Sequence, residues 1–414
     1  MLITLLVVAA VLAVAGLCGR LAARLGQPPV IGELVAGIAL GPSILGAVLP
    51  DLATRLFTPP FVTVIDRVAQ AAVLVFMFWA GLELDTVLLR RHAGGVVRIA
   101  LGSLALPFAL GAGFALWLYP ALHGEVANRA AFVLFVGTAM SITAMPVLTR
   151  ILSDCRLLTS PIGTVALGCA AIDDVVAWTM LGFVVGMLRG QADIAVTVAS
   201  AMVYLLLMLY GLRPALRWLA ARSAGPGRRP LWLGIAAAAA LLSAMAAERI
   251  GIHAVLGAFI AGACLPRDGD ALAGLGRPLH AVSVLLLPAF FVQVGLRTQL
   301  GLVTGLDQWA VVGLLILLAG VGKVGGSSVA ARSVGFSWRD SLAIGALLNT
   351  RGLVALVALD IGRGLGILSP TLFTMFVIMT LLMTLATVPV LRLLGLGAWE
   401  VSRGQEGAGS MPLG

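Results

Sequence analysis

The sequence predicts an all-α polytopic membrane protein of about thirteen transmembrane helices, arranged as inverted repeats with two crossed broken helices. Three observations predict it. The 414 residues are 60% hydrophobic and 11% charged, with a mean hydropathy of +1.08, whereas ordinary globular chains carry about 25% charged residues. Apolar stretches near the ~17–25 residues that cross a bilayer as a helix recur from end to end. Two pairs of short motifs repeat at a common offset of seven stretches.

The stretches fall at residues 3–24, 30–49, 66–86, 95–118, 130–152, 161–188, 193–221, 231–248, 251–266, 279–297, 307–331, 338–364 and 370–397. The first lacks a basic lead-in and a small-residue cleavage site, so it reads as a helix and not a leader. The second and ninth are the shortest. The third and tenth share a motif, the fifth and twelfth carry helix-breaking residues, and the sixth and eleventh carry buried charge. The fourth, seventh, eighth and thirteenth are plain apolar runs. Residues 1–397 therefore form one transmembrane domain with no room between spans for a soluble or nucleotide-binding module, and 398–414, rich in Gly and Ser, read as a short disordered cytoplasmic tail.

A net charge of +9 does not point to nucleic acid, because the arginines lie between apolar spans and not on one soluble face. Loops assigned alternately place eighteen arginines on one side, among them Arg90, Arg91, Arg228 and Arg339, and seven on the other, among them Arg67, Arg249, Arg297 and Arg363. The positive-inside rule then puts the N-terminus outside and the C-terminus in the cytoplasm of a multi-pass cell-membrane protein. Cys18, Cys155, Cys169 and Cys264 are too scattered to imply a disulfide framework or a zinc site.

Phe76-Met77-Phe78-Trp79-Ala80-Gly81-Leu82 in the third stretch reads like Phe290-Phe291-Val292-Gln293-Val294-Gly295-Leu296 in the tenth. Val35-Ala36-Gly37 in the second is echoed by Ile260-Ala261-Gly262 in the ninth. An odd offset makes the copies cross the membrane in opposite directions, the inverted repeat of secondary transporters. The same offset pairs the fifth stretch with the twelfth. Pro146, after Ser141-Ile142-Thr143, removes the helical bond to the Ile142 carbonyl, and Asn349-Thr350-Arg351-Gly352 interrupts the twelfth at the matching depth. Broken helices of this kind persist only where protein or a wet cavity satisfies the freed backbone, and they commonly form ion sites.

Asp173-Asp174 lies near the middle of the sixth stretch, where burying one acid costs ~2.5–3.5 kcal/mol on translocon scales. Adjacent helical residues project about 100° apart, so the two acids have separate surroundings. One suits exchange of a cation for a proton; the other suits a fixed partner. The chain holds 26 arginines and one lysine, Lys323, inside the eleventh stretch among Gly320, Gly322, Gly325 and Gly326. Lysine, unlike arginine, can lose its proton when buried, so its single use marks a special cation and a partner for an acid. Arg351 suits the end of a broken half-helix, Glu33 and Glu83 sit near helix ends as packing or interfacial residues, and His253 reads as a core histidine.

With these residues in place, the sequence resembles the monovalent cation/proton antiporter family, in the branch with bacterial sodium or potassium/proton antiporters and plant cation/proton exchangers. The resemblance covers residues 5–397 and rests on Gln27-Pro28-Pro29-Val30-Ile31-Gly32-Glu33 through Gly41-Pro42-Ser43, Gly81-Leu82-Glu83-Leu84, Ser141-Ile142-Thr143 with Pro146-Val147-Leu148, Ala171-Ile172-Asp173-Asp174-Val175, Lys323, and Asn349-Thr350-Arg351-Gly352-Leu353-Val354. It implies the sodium/proton antiporter fold, a panel of scaffold helices, and a core that moves like an elevator. It implies that Asp174 carries the cation and proton, that Asp173 pairs with Lys323 when no cation is bound, and that Thr143, Pro146, Asn349, Thr350 and Arg351 form the crossing. A secondary antiporter follows, not an enzyme, exchanging Na+, with K+ or Li+ as alternatives, for protons. A two-acid pattern with lysine goes with electrogenic exchange in this family. The implied partners are monovalent cations, protons, the bilayer and a second copy in a homodimer, with no cofactor and no nucleic acid.

Two departures stand out. Many relatives carry a glutamate just after the Arg-Gly of the second broken helix, where Leu353 and Ala355 are apolar, so cation selectivity is not carried over. A regulatory nucleotide-binding domain of potassium-efflux relatives is absent from the sequence, so gating by nucleotide or glutathione is not expected. Among rival readings, an intramembrane aspartyl protease needs its acids on separate helices, and a bile-acid-type symporter lacks the acid-lysine pattern. A passive or gated monovalent-cation efflux pathway on the same fold is the serious alternative.

Overall fold

A computed structural model describes residues 2–83, 93–125, 128–158, 160–188, 194–222, 229–250, 254–266 and 276–396. The expectations for the tail 398–414 and for His253 concern residues outside this set, and of Glu83 only the backbone is described. Helices account for nearly all of what is described, and no strand occurs among those residues.

The first helices are α1 (Leu2–Arg24), α2 (Pro29–Leu40), the short α3 (Leu45–Val48) and α4 (Pro50–Leu56), and α5 (Pro59–Glu83). Next come α6 (Ala93–Leu122), the half-helices α7 (Arg129–Ser141) and α8 (Met145–Asp154), and α9 (Pro161–Leu188). A third group is α10 (Ile194–Leu206), a π-turn Leu207–Leu212, α11 (Arg213–Arg222), α12 (Arg229–Ile250), α13 (Ala254–Cys264) and α14 (Gly276–Arg297). The last are α15 (Leu306–Gly320), a π-turn Val321–Gly325, α16 (Gly326–Ser333), the half-helices α17 (Trp338–Leu348) and α18 (Leu353–Gly364), and α19 (Pro370–Leu393).

Among the described residues, ten helical spans are long and apolar enough to cross a membrane. α17 with α18 makes one more crossing, bent by 42°, and the shorter α7 and α13 occupy the fifth and ninth expected stretches. The third span starts earlier than its apolar pattern suggests, at Pro59 and not residue 66. Proline is favoured in a first helical turn, and Asp66 is tolerated inside the helix because Gln293 and Arg297 bond it.

The helices sort into two bundles. One packs α1, α2, α5, α12, α13 and α14; the other packs α6 to α9 with α15 to α19. α10 lies against α12 and also touches α9. Side chains link the bundles, since Leu34, Val73, Phe290 and Val294 share one continuous apolar cluster with Phe135, Leu353, Val357 and Phe376. Lipid gives no hydrophobic drive for helix association, so close backbone contact and dispersion must hold each bundle together.

The repeated motifs are where that contact is closest. A Cβ on Gly81 of α5 would sit 2.0 Å from the Phe259 carbonyl of α13, and one on Gly262 would sit 2.0 Å from the Phe78 carbonyl. The equivalent second crossing joins α2 to α14, where a Cβ on Gly37 would meet the Val292 carbonyl at 2.7 Å and one on Gly295 would meet Gly37 Cα at 2.6 Å. Each repeat thus supplies one glycine to each crossing, and the two crossings mirror one another.

Candidate functional site

The second bundle is organised around two chain breaks. α7 stops at Ser141 and the chain runs extended from Ile142 before α8 begins at Met145, with Pro146 its second residue. α17 stops at Leu348, and Asn349 to Gly352 separate it from α18. The breaks cross: the Ala144 amide donates to the Thr350 carbonyl at 2.9 Å. Gly352 is needed there for space, because its Cβ would meet Val147 Cγ2 at 2.6 Å and Ala144 Cβ at 3.2 Å.

A helix end leaves its last carbonyls unpaired, and in a membrane each must find a partner. At the α7 end every one does. The Ile142 amide caps Thr138 O at 3.2 Å. Arg351 Nη1 donates to Ala139 O at 3.0 Å and to Ile142 O at 2.6 Å, and Nη2 donates to Met140 O. Lys323 Nζ takes Ser141 O at 2.5 Å. The Ile142 carbonyl is the one that Pro146, lacking an N–H, leaves without a helical donor. Two cations, both fully buried, thus cover the negative end of one half-helix.

At the other break, Thr384 Oγ1 of α19 donates to the Arg351 carbonyl at 2.6 Å. Thr143 Oγ1 lies 2.9 Å from the Leu348 carbonyl and 2.7 Å from Asp173 Oδ2. With one hydroxyl proton, Thr143 donates to one of these two acceptors at a time and stands between the acid and the end of α17. Asn349 Nδ2 points at Met383 Sδ, 3.1 Å away, and Thr350 Oγ1 lies 3.4 Å from Thr387 Oγ1.

Asp173 and Asp174, both buried on α9, have unlike surroundings. Asp173 Oδ2 receives Lys323 Nζ at 2.7 Å, Thr143 Oγ1 at 2.7 Å and Ser103 Oγ at 3.1 Å. Ser103 is brought there by a close crossing of α6 and α16, where Gly102 and Gly326 face each other's carbonyls. Lys323 lies in the π-turn between α15 and α16, an extra-residue bulge that re-aims side chains and recurs at functional sites. The turn fits because a Cβ on Gly322 would meet Pro107 Cα at 2.8 Å. Asp173 Oδ1, Asp174 Oδ1 and Asn349 Oδ1 are buried and have no hydrogen-bond donor among the described residues.

The fold therefore bonds Asp173 to Thr143 and Lys323, and sets Arg351 on the same α7 end that Lys323 caps. Glu33 stands apart on α2, against Gly19 of α1. Sequence reasoning missed Ser103 and Thr384: Ser103 is a single hydroxyl marked only by the glycine beside it, whereas Thr384 forms a stripe at helical spacing with Thr380 and Thr387, which was the available signal. Separately, a cavity of about 730 Å³ opens between the first bundle and α18, lined by Gln70, Val73, Phe290, Gln293, Val357 and Asp360 among others.

The family description "sodium/hydrogen exchanger, transmembrane" matches residues 8–393. The chain is 37% identical to the Na(+)/H(+) antiporter NhaS4 of Synechocystis, over 93% of its own length and 96% of that protein. It is 35% identical to Cation/H(+) antiporter 20 of Arabidopsis thaliana over 92% of its length, and spans 47% of that longer protein. The fold is similar to that of the sodium proton antiporter MjNhaP1 from Methanocaldococcus jannaschii at pH 8, with a TM-score of 0.69, 17% identity, and coverage of 95% of this chain and 99% of that one. These relatives are transporters, not enzymes. The chain belongs to the sodium/hydrogen exchanger family of membrane cation/proton antiporters.

Proposed function

We propose that this chain exchanges a monovalent cation, Na+ before K+ or Li+, for protons, with both competing for Asp174. The observation that carries the reading is the contrast between the two acids. Asp173, bare only at Oδ1, is held at Oδ2 by the Lys323 ammonium with the Ser103 and Thr143 hydroxyls beside it, whereas no ion pair or hydrogen bond from a described residue holds the Asp174 carboxyl group. A buried carboxylate must be neutralised, and a proton or a cation does so equally, one at a time. Asn349 Oδ1, a further bare acceptor, belongs to the break that α9 packs beside, and oxygen donors are what a hard cation takes.

Asp173 in this reading is the partner of Lys323, and the pair with Thr143, Pro146, Asn349, Thr350 and Arg351 keeps the crossing intact while the second bundle moves as a body. The sparse backbone contact between the bundles supports that elevator-like movement. The arginine count supports an N-terminus outside and a C-terminus inside a cell membrane, and in this reading the cavity near Arg249 and Arg297 opens outward. A homodimer in the bilayer is carried over from the resemblance, as is residue 397 as the end of the exchanger domain.

The test is a pH-gradient assay in everted vesicles. Addition of Na+, K+ or Li+ is expected to collapse a preformed gradient in vesicles holding the native chain. Failure of all three removes the exchange reading, and cation flux without proton movement replaces it with the passive pathway.

A further inference from the structure

We infer that Arg297 latches the two bundles together at the mouth of the cavity, and that this latch must open in each transport cycle. The inference rests on the reading that the bundles move against each other. Arg297 ends α14 in the first bundle, and on that bundle it is held by Asp66 of α5, with Nη2 3.0 Å from Oδ1. Asp66 is itself fixed by Gln293 Nε2 at 2.6 Å. The other arm, Nη1, reaches Asp360 Oδ1 of α18 in the second bundle at 2.6 Å. One turn further along α18, Arg363 Nη1 donates back to the Arg297 main-chain carbonyl at 2.6 Å. The same end carries another crossing bond, from the Gln299 amide to Thr374 Oγ1 of α19 at 3.2 Å.

The geometry separates a fixed half from a releasable half. Asp66, Gln293 and Arg297 belong to neighbouring turns of α5 and α14, which pack closely along their length, so the guanidinium fork is set before α18 arrives. Asp360 and Arg363 both ride on the half-helix that carries the second break. A hydrogen bond is gone beyond about 3.5 Å, so a shift of α18 by a few ångström along its axis parts both contacts at once.

Exposure fits release. The Arg297 and Asp360 side chains are 31% and 22% exposed, whereas Lys323 and Asp173 are wholly buried. A half-wet pair biases a two-state equilibrium by only about two- to fivefold, enough to favour this conformation and little enough to break every cycle. The buried pair lies inside one bundle and travels with it.

Spin labels test this in the full chain in liposomes. Gln70→Cys on α5 and Leu365→Cys at the end of α18 both face the cavity and are placed in a variant lacking Cys18, Cys155, Cys169 and Cys264; pulsed dipolar spectroscopy then reads the inter-bundle distance. Arg297→Gln and the nearly isosteric Asp360→Asn are each expected to shift the ratio of the two distance populations two- to fivefold away from the conformation described. Asp66→Asn, which removes the charge competing with Asp360 for Arg297, shifts it the other way. In the Asp66→Asn background, Arg297→Glu with Asp360→Arg restores the ratio that each change alone disturbs, which separates a latch from misfolding. Unchanged distances in Asp360→Asn, or no restoration by the swap, overturn the latch. Exchange is assayed separately, so failure of the native chain to exchange would remove the function while these distances still report on the latch.

Discussion

Removing Lys323 exposes the energetics of the site most sharply. In Lys323→Met the buried Nζ disappears, and with it the 2.7 Å contact to Asp173 Oδ2 and the 2.5 Å contact to Ser141 O. Both partners are buried, so water does not replace what is lost. Breaking one side of a buried ion pair costs about 3–5 kcal/mol, and an orphaned carbonyl costs about 1–3 kcal/mol more where it cannot relax. Taking the pair alone, thermal unfolding in detergent is expected to fall by roughly 3–10 °C for a chain of this size. The decisive comparison is Asp173→Asn with Lys323→Met. Neutralising both members of a buried pair is often nearly neutral, so the double variant should recover most of the loss, leaving the Ser141 carbonyl as the residue of damage. An unchanged Tm in Lys323→Met, or a double variant no more stable than the single one, would refute the reasoning that the lysine compensates Asp173.

Three further outcomes are expected. Gly81→Ala and Gly262→Ala drive a methyl into backbone carbonyls 2.0 Å away, so each should cost at least the ~1–3 kcal/mol of overpacking, whereas Gly113→Ala, with nothing within 4 Å, should hold or gain stability; thermal denaturation distinguishes them. Ser103→Ala removes one of three donors on Asp173 and should cost about 0.5–1.5 kcal/mol, with exchange retained and its cation KM altered; a total loss of exchange would mean that Ser103 does more than position the acid. Arg351→Lys leaves at least one of the Ala139, Met140 and Ile142 carbonyls bare, because a single ammonium lacks the guanidinium fork, and a loss of about 1–3 kcal/mol in unfolding experiments is expected.

The large elements were legible because the membrane imposes strong rules. Apolar length located the spans, and the shared offset of Gly81 with Gly295 and of Gly37 with Gly262 marked the two crossings. Those glycines were readable as a repeat, though not as partners: that Gly81 meets Gly262 rather than its own copy depends on which helices touch. The breaks announced themselves through Pro146 and through Asn349 to Gly352. What stayed hidden has no local pattern, or one that names no partner. Ser103 is a lone hydroxyl in an apolar run, and the helical spacing of Thr380, Thr384 and Thr387 marks a polar stripe without saying what it meets. The π-turn around Lys323 alters the helical register without any change in composition beyond its glycines. Asp66, Arg297 and Asp360 lie far apart in sequence, and Arg297 counted only as one charge among seven on the sparse side. Their meeting is a product of packing, which no spacing along the chain encodes.

The central claim is that a proton and a cation compete for Asp174, and proton release on cation binding measures this without any transport step. Purified protein in weakly buffered detergent solution, titrated with NaCl and in parallel with choline chloride, is expected to release protons only on addition of Na+. Asp174→Asn is expected to release none. Release that persists in Asp174→Asn, or a native chain that binds Na+ without releasing protons, would contradict the account.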